Sequence, residues 1–251
     1  MELQGKTAFI TGGASGLGLA TAKNFVKAGA RVFLYDLNAE ALEAAAGELG
    51  ESVAWHAGDV ADEDAVKAAI TEAQQVFGTV HVNVNSAGIG GAARTVGKDG
   101  AMPLARFEHI VRVNLIGTFN VLRLCAEVMQ LNESQTEDNE RGVIINVASI
   151  AAFDGQTGQA GYAASKGGIV AMTLPIARDL SREGIRVNTI LPGIFNTPLL
   201  AAAPDNVKQA LGAQVPYPSR LGNPEEYAEL ATTMCEVNYF NGEDVRLDGA
   251  I

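Results

Sequence analysis

Two hydrophobic patterns alternate along the chain. Short, nearly continuous apolar runs occupy residues 7–11, 31–35, 53–57, 80–85, 143–148, 186–191 and 244–247, as expected of strands covered on both faces. Between them, apolar positions recur at helical spacing over residues 17–28, 39–49, 65–77, 107–131, 160–182 and 225–237. Such alternation predicts βαβ units. The expected fold class is α/β: a single-domain, Rossmann-like, doubly wound parallel sheet of about seven strands with helices on both faces. No linker, composition shift or internal repeat divides residues 1–251.

Two segments break the alternation. Residues 132–142 (NESQTEDNERG) hold no apolar side chain and read as a solvated loop. Residues 197–219 carry Pro198, Pro204, Pro216 and Pro218 after a Pro192-Gly193 turn. A loop of that length in a compact domain reads as a substrate lid.

Composition narrows the function. Glycine accounts for 28 of 251 residues, about 11% against a usual share of roughly 7%, which points to tight turns or close backbone approach to a ligand. A net charge of −11 argues against nucleic acid as a partner, because binding it takes a basic surface. Cys125 and Cys235 are too few for a disulfide framework, and Cys125 falls at helical spacing with Leu122 and Met129, as a core residue would. Neither a signal-peptide pattern nor a long apolar span is present. The expectation is no membrane and a cytoplasmic location, the mitochondrial matrix being the alternative.

The first strand runs into Thr11-Gly12-Gly13-Ala14-Ser15-Gly16-Leu17-Gly18. At a strand-to-helix junction, Gly12 can make the turn, Gly16 can let the backbone approach a pyrophosphate, and Gly18 can seat the helix close on the sheet. Asp36 ends the second strand, where an acid can bind ribose hydroxyls and repel a 2′-phosphate. Ser15 and Leu37 offer no cation for such a phosphate, so NAD is expected rather than NADP. Asp59-Val60 and Asn85-Ser86-Ala87-Gly88 also lie at carboxyl ends of strands, where open sheets bind ligands.

Tyr162 and Lys166 are one helical turn apart and share a face. Ser149 ends the fifth predicted strand. A phenol of pKa about 10 is a poor base at neutral pH, and a nearby ammonium is expected to favour the phenolate. Ser149 can hold a substrate oxygen while Tyr162 takes a hydroxyl proton and hydride leaves for a nicotinamide. No metal site is expected, since His56 and His109 have no companion acids or cysteines at ligand spacing. His81 reads as a structural partner of a neighbouring strand.

These motifs resemble the short-chain dehydrogenase/reductase family over essentially the whole chain: TGGASGLG at 11–18, Asp36, Asp59-Val60, NSAG at 85–88, Asn114, Ser149, YAASK at 162–166 and Pro192-Gly193. The resemblance implies that Asn114 joins Ser149, Tyr162 and Lys166 in a catalytic tetrad. Residues 142–180, with GIFNTPLL, QVPYPSRLG and VRLDGAI, are similar to the type-2 3-hydroxyacyl-CoA dehydrogenases within that family. That similarity implies oxidation of L-3-hydroxyacyl-CoA to 3-oxoacyl-CoA and a homotetramer. It also implies NAD contacts from Ser15, Leu17, Asp36, Asp59, Val60, Ser86, Phe195 and Thr197, besides Tyr162 and Lys166, and substrate contacts from Gln156 and Gln159. CoA carries phosphates, for which Arg94, Lys98 and Arg106 are candidate partners. An NAD-dependent hydroxysteroid or general secondary-alcohol dehydrogenase is the alternative enzyme, and a non-catalytic scaffold or binding subunit the alternative of another class. His81 stands where the family usually has an acid, and Ser86 where it has asparagine or, in this group, cysteine.

Overall fold

Because both faces of each strand must be covered, alternate residues of one strand serve two different cores. In the computed structural model, which describes residues 1–201 and 204–251, that division is clear. The elements begin with β1 (Thr7–Thr11), α1 (Gly16–Lys27), β2 (Arg31–Asp36), α2 (Ala39–Leu49), β3 (Val53–Ala57), α3 (Glu63–Phe77) and β4 (Val82–Asn85). A two-residue ribbon follows, β5 (Val96–Gly97) with β6 (Gly100–Ala101), then α4 (Leu104–Val111), a π-helical turn (Arg112–Ile116) and α5 (Gly117–Met129). The rest comprises β7 (Gly142–Val147), α6 (Ala160–Asp179), β8 (Ile185–Pro192), α7 (Pro198–Ala201), α8 (Asp205–Gly212), α9 (Pro224–Glu236) and β9 (Asp244–Leu247).

The large sheet is parallel throughout, in the order β3-β2-β1-β4-β7-β8-β9. Ala8, Ile10, Val32, Leu34, Val82, Val84, Val143 and Ile145 pack against Phe25 of α1, Leu42 of α2 and Tyr227 and Met234 of α9. The intervening residues Phe9, Phe33, Tyr35, Ile144 and Val187 join Val66 and Ile70 of α3, Leu122 and Cys125 of α5 and Ile176 of α6 on the other side. β4 departs from this: its second face carries Asn83 and Asn85, both buried. The order reverses between β1 and β4, which is where an open sheet leaves a crevice beyond its strand ends.

Four elements differ from the sequence expectation. The helix expected over 107–131 starts at Leu104 and is interrupted by the π turn around Asn114, an extra residue that apolar spacing alone does not reveal. The helix expected to reach residue 182 closes at Asp179, with a short 3-10 turn over Ser181–Glu183. The proline-rich segment contains α7 and α8, while Ala202 and Ala203 of the expected lid lie outside the described residues. The polar segment before β7 is not simply solvated. Glu140 is buried, where it pairs with Arg186 at 2.6 Å and with the Met1 ammonium at 3.0 Å. Arg186 also donates to the carbonyls of Met234, Cys235 and Phe240, so the guanidinium is satisfied although it is out of water.

Candidate active site

β1 ends in a backbone that only glycine tolerates. Gly12 has φ +63°, and a Cβ there would lie 2.9 Å from the Ser86 carbonyl and the Ala87 nitrogen. A Cβ on Gly18 would collide with the Gly12 carbonyl, so α1 starts directly on the turn. Thr11 Oγ1 accepts the Ser86 and Ala87 amides, each at 3.1 Å, and fastens the segment after β4 alongside. Ser15 precedes α1 without capping it, and the first turn holds no acid, which leaves N–H groups and the positive helix end for an anion.

Beyond this turn opens a cavity of about 630 Å³. One end is lined by Gly12, Ser15, Gly16, Leu17, Asp36, Leu37, Asp59 and Val60. Asp36 accepts the Ala14 amide at 3.3 Å and that of Asn38 at 3.2 Å. The Gly58–Val60 turn is held from below, where the Tyr35 hydroxyl donates to the Asp59 carbonyl at 3.2 Å and Asn120 donates to the Val60 carbonyl at 2.9 Å. Thr197 and Pro198 lie over Gly16, with Pro198 Cδ 3.4 Å from where its Cβ would stand. A glycine turn beneath an uncapped helix start, with a carboxylate at the next strand end, fits the phosphates and ribose of a dinucleotide.

The other end is lined by Ser149, Tyr162 and Lys166, with Gly90, Gly91, Ala92, Asp154, Gln156, Gln159 and Ile194. β7 delivers Ser149, whose Oγ accepts the Ala151 amide at 3.1 Å and lies near enough to the Tyr162 phenol to favour its ionised form. Lys166 Nζ donates to the Val147 carbonyl at 2.7 Å and stands 5.8 Å from the Tyr162 ring centre. Burial pushes Lys166 down to about 8. Burial also raises the Tyr162 phenol above its usual range, and Ser149 offsets only part of that. Desolvation is the largest influence on both groups.

Three of the expected residues do not reach the cavity wall. Asn85 is buried in the sheet and donates to Asn83 at 2.7 Å and to Asn146 at 3.0 Å. Gly18 acts by spacing, as above. Asn114 clamps the Ile89 backbone, accepting its N–H at 2.8 Å and donating to its carbonyl at 3.0 Å, and also bonds Ser165 at 3.1 Å. It stands behind Gly88, whose Cβ would lie 3.2 Å from Asn114 Oδ1 and 3.5 Å from Lys166 Nζ. Ser86, Phe195 and Thr197 do line the cavity. Gln156 and Gln159 line it too, the Gln159 side chain accepting the Gln156 amide at 2.9 Å.

Arg94, Lys98 and Arg106 are exposed and off the wall, and Arg106 donates to the Ala92 carbonyl at 2.9 Å. Sequence reading missed the Gly90–Ala92 wall and Asp154; the only available signal was their position just after NSAG and Ser149. His81 accepts the Thr7 amide at 3.1 Å, a partner of the adjoining strand as expected. No metal-binding group of three side chains occurs among the described residues, and no helix there is long and apolar enough to cross a membrane.

A doubly wound sheet with a phosphate cradle at its switch point and a Ser-Tyr-Lys group beside it defines a dinucleotide-linked oxidoreductase. Residues 6–208 match the short chain dehydrogenase family. Over its full length the chain is 55% identical to 3-hydroxyacyl-CoA dehydrogenase type-2 of Bos taurus and 53% identical to that of Homo sapiens, covering 96% of each. The crystal structure of 3-hydroxyacyl-CoA dehydrogenase type-2 from Mycobacterium avium superposes with a TM-score of 0.93 at 41% identity, over 98% of this chain and 95% of that one. The chain belongs to the short-chain dehydrogenase family and is an oxidoreductase, for which the family implies a nicotinamide cofactor.

Proposed function

We propose that the protein oxidises L-3-hydroxyacyl-CoA to 3-oxoacyl-CoA with NAD, using Ser149, Tyr162, Lys166 and Asn114. The observation that carries this reading is that Ser149, Tyr162 and Lys166 share one cavity wall, with Lys166 buried beside the Tyr162 ring. The names of the full-length relatives support the substrate class. When bound, the nicotinamide supplies the hydride acceptor. Ser149 holds the substrate oxygen, and Tyr162, as the phenolate, takes the hydroxyl proton. Lys166, near 8, can take up the proton of the resulting phenol close to neutrality and so return Tyr162 to the phenolate. Asn114 holds Ile89, and with it the wall on which the acyl group rests.

Asp36 supports NAD: among the described residues, no arginine or lysine lines its end of the cavity to offset a 2′-phosphate. Gly12, Gly16 and Gly18 would form the pyrophosphate cradle, flanked by Ser15, Leu17, Asp59, Val60, Ser86, Phe195 and Thr197. The segment over 197–219 would act as the lid. A homotetramer would cover some of the exposed apolar residues, such as Ile116 and Phe119 near the start of α5 and Leu174 on α6.

The test is kcat/KM with NAD and with NADP over short, long and branched 3-hydroxyacyl-CoAs, a hydroxysteroid and a simple secondary alcohol. The expected result is preference for NAD and for a 3-hydroxyacyl-CoA. A tenfold preference for the steroid, about 1.4 kcal/mol in transition-state binding, or for NADP would overturn the assignment.

A further inference from the structure

The charged residues lining the cavity are Asp36, Asp59, Asp154 and Lys166. Asp36 and Asp59 stand at the dinucleotide end, and Lys166 is buried next to Tyr162. Asp154 is therefore, among the described residues, the carboxylate side chain on the substrate rim, where it is 56% exposed. It is also matched: Arg246, from β9, reaches it at 2.7 Å. The same guanidinium is held by Asp248 at 2.8 Å and by the Ile251 carbonyl at 3.1 Å. With three anchors, Arg246 cannot swing away from the rim without breaking all of them.

We propose that the Asp154–Arg246 pair is a specificity-determining element that makes the substrate rim acceptable to anionic substrates. The proposal rests on the acyl-CoA reading above. A CoA thioester brings several phosphate charges to a molecule of net charge −11, and a bare carboxylate on the rim would repel them. Arg246 offsets one of the two carboxylates it holds, Asp154 and Asp248, so that the group carries one net negative charge in place of two. The charge acts over roughly 10 Å at 0.1 M salt and roughly 30 Å at 0.01 M, so direct contact with a phosphate is not needed. As a half-exposed pair it contributes little to folding, and its loss should be read in substrate choice instead.

Arg246→Gln removes the cation and leaves Asp154 bare, Asp154→Asn does the reverse, and the double variant restores the balance. The readout is kcat/KM for 3-hydroxybutyryl-CoA divided by that for the phosphate-free N-acetylcysteamine thioester, with saturating NAD, at low and high salt. At about 0.01 M salt, Arg246→Gln should lower this ratio by roughly threefold or more and Asp154→Asn should raise it. The double variant should return it to within about twofold of wild type, and the differences should collapse near 1 M salt, where screening acts over only about 3 Å. A purely structural role would depress both thioesters together and make the double variant the worst of the three. That outcome, or ratios unmoved in both single variants, would overturn the proposal while leaving the acyl-CoA assignment standing. Wild-type protein that oxidised neither thioester would overturn both.

Discussion

Tyr162 lies on the cavity wall with Ser149 and shares a helix turn with Lys166, whose Nζ stands 5.8 Å from its ring centre. Tyr162→Phe keeps the ring and deletes the oxygen, so packing is preserved and proton transfer is not. The expected outcome is a fall in kcat/KM of roughly 10²–10⁴ with thermal unfolding nearly unchanged. Retained turnover would remove Tyr162 from the chemistry, and an undiminished biological role would favour the scaffold alternative. At this scale the sequence was informative where chemistry is local: Tyr162 and Lys166 lie within one turn, and Asp36 at a strand end. It was silent where burial decides, as in the downward push on Lys166. Partners remote in sequence were equally hidden: nothing in either neighbourhood links Asp154 to Arg246.

Among the elements, α1 is tightly placed. It begins against the Gly12 carbonyl, and Gly18 is the residue in contact. Gly18→Ala forces the helix start away from the turn and moves its amides from the phosphate site. A loss of about 1–3 kcal/mol of stability is expected from the overpacking, with a rise in KM for NAD exceeding that for the thioester. Equal rises in both constants would count against the cradle. Strand positions were legible because continuous apolar runs need cover on both faces, and β1, β2 and β7 meet that condition. The π turn was not, since α4, the turn and α5 form one uninterrupted apolar periodicity; the clamp of Asn114 on Ile89 becomes visible only in three dimensions. Likewise α8 was hidden by the prolines around it, and the β5–β6 ribbon is too short to leave a pattern.

For the molecule as a whole, the acid limb of stability has an identifiable contributor. His81 is buried, accepts the Thr7 amide, and is pushed down to about 4 by burial and by the Lys6 and Arg31 charges. Because its folded value lies below the ordinary one of 6.5, the unfolded chain binds the extra proton first. Stability is therefore full above pH 7 and falls as pH drops through 6.5 towards 4, by at most about 3 kcal/mol. Asp244 is pushed up to about 6 by burial, which tilts the curve the opposite way between about 4 and 6. The comparison that isolates His81 is urea unfolding of wild type and His81→Asn from pH 7 to 4. The variant, whose amide oxygen can still accept from Thr7, should show the shallower decline; parallel curves would exclude the imidazole.

The hydroxyl of Thr11 has a wider consequence. Main-chain pairing between β1 and β4 runs as far as Thr11 and Asn85, and the next two amides both turn to Thr11 Oγ1. The oxygen acts as a stop on a zip: it satisfies the donors that would otherwise seek a longer ladder, and the chains part at a fixed place. Strand register and the width of the cleft are thereby tied to a single atom, so that an error in the one would be inherited by the other.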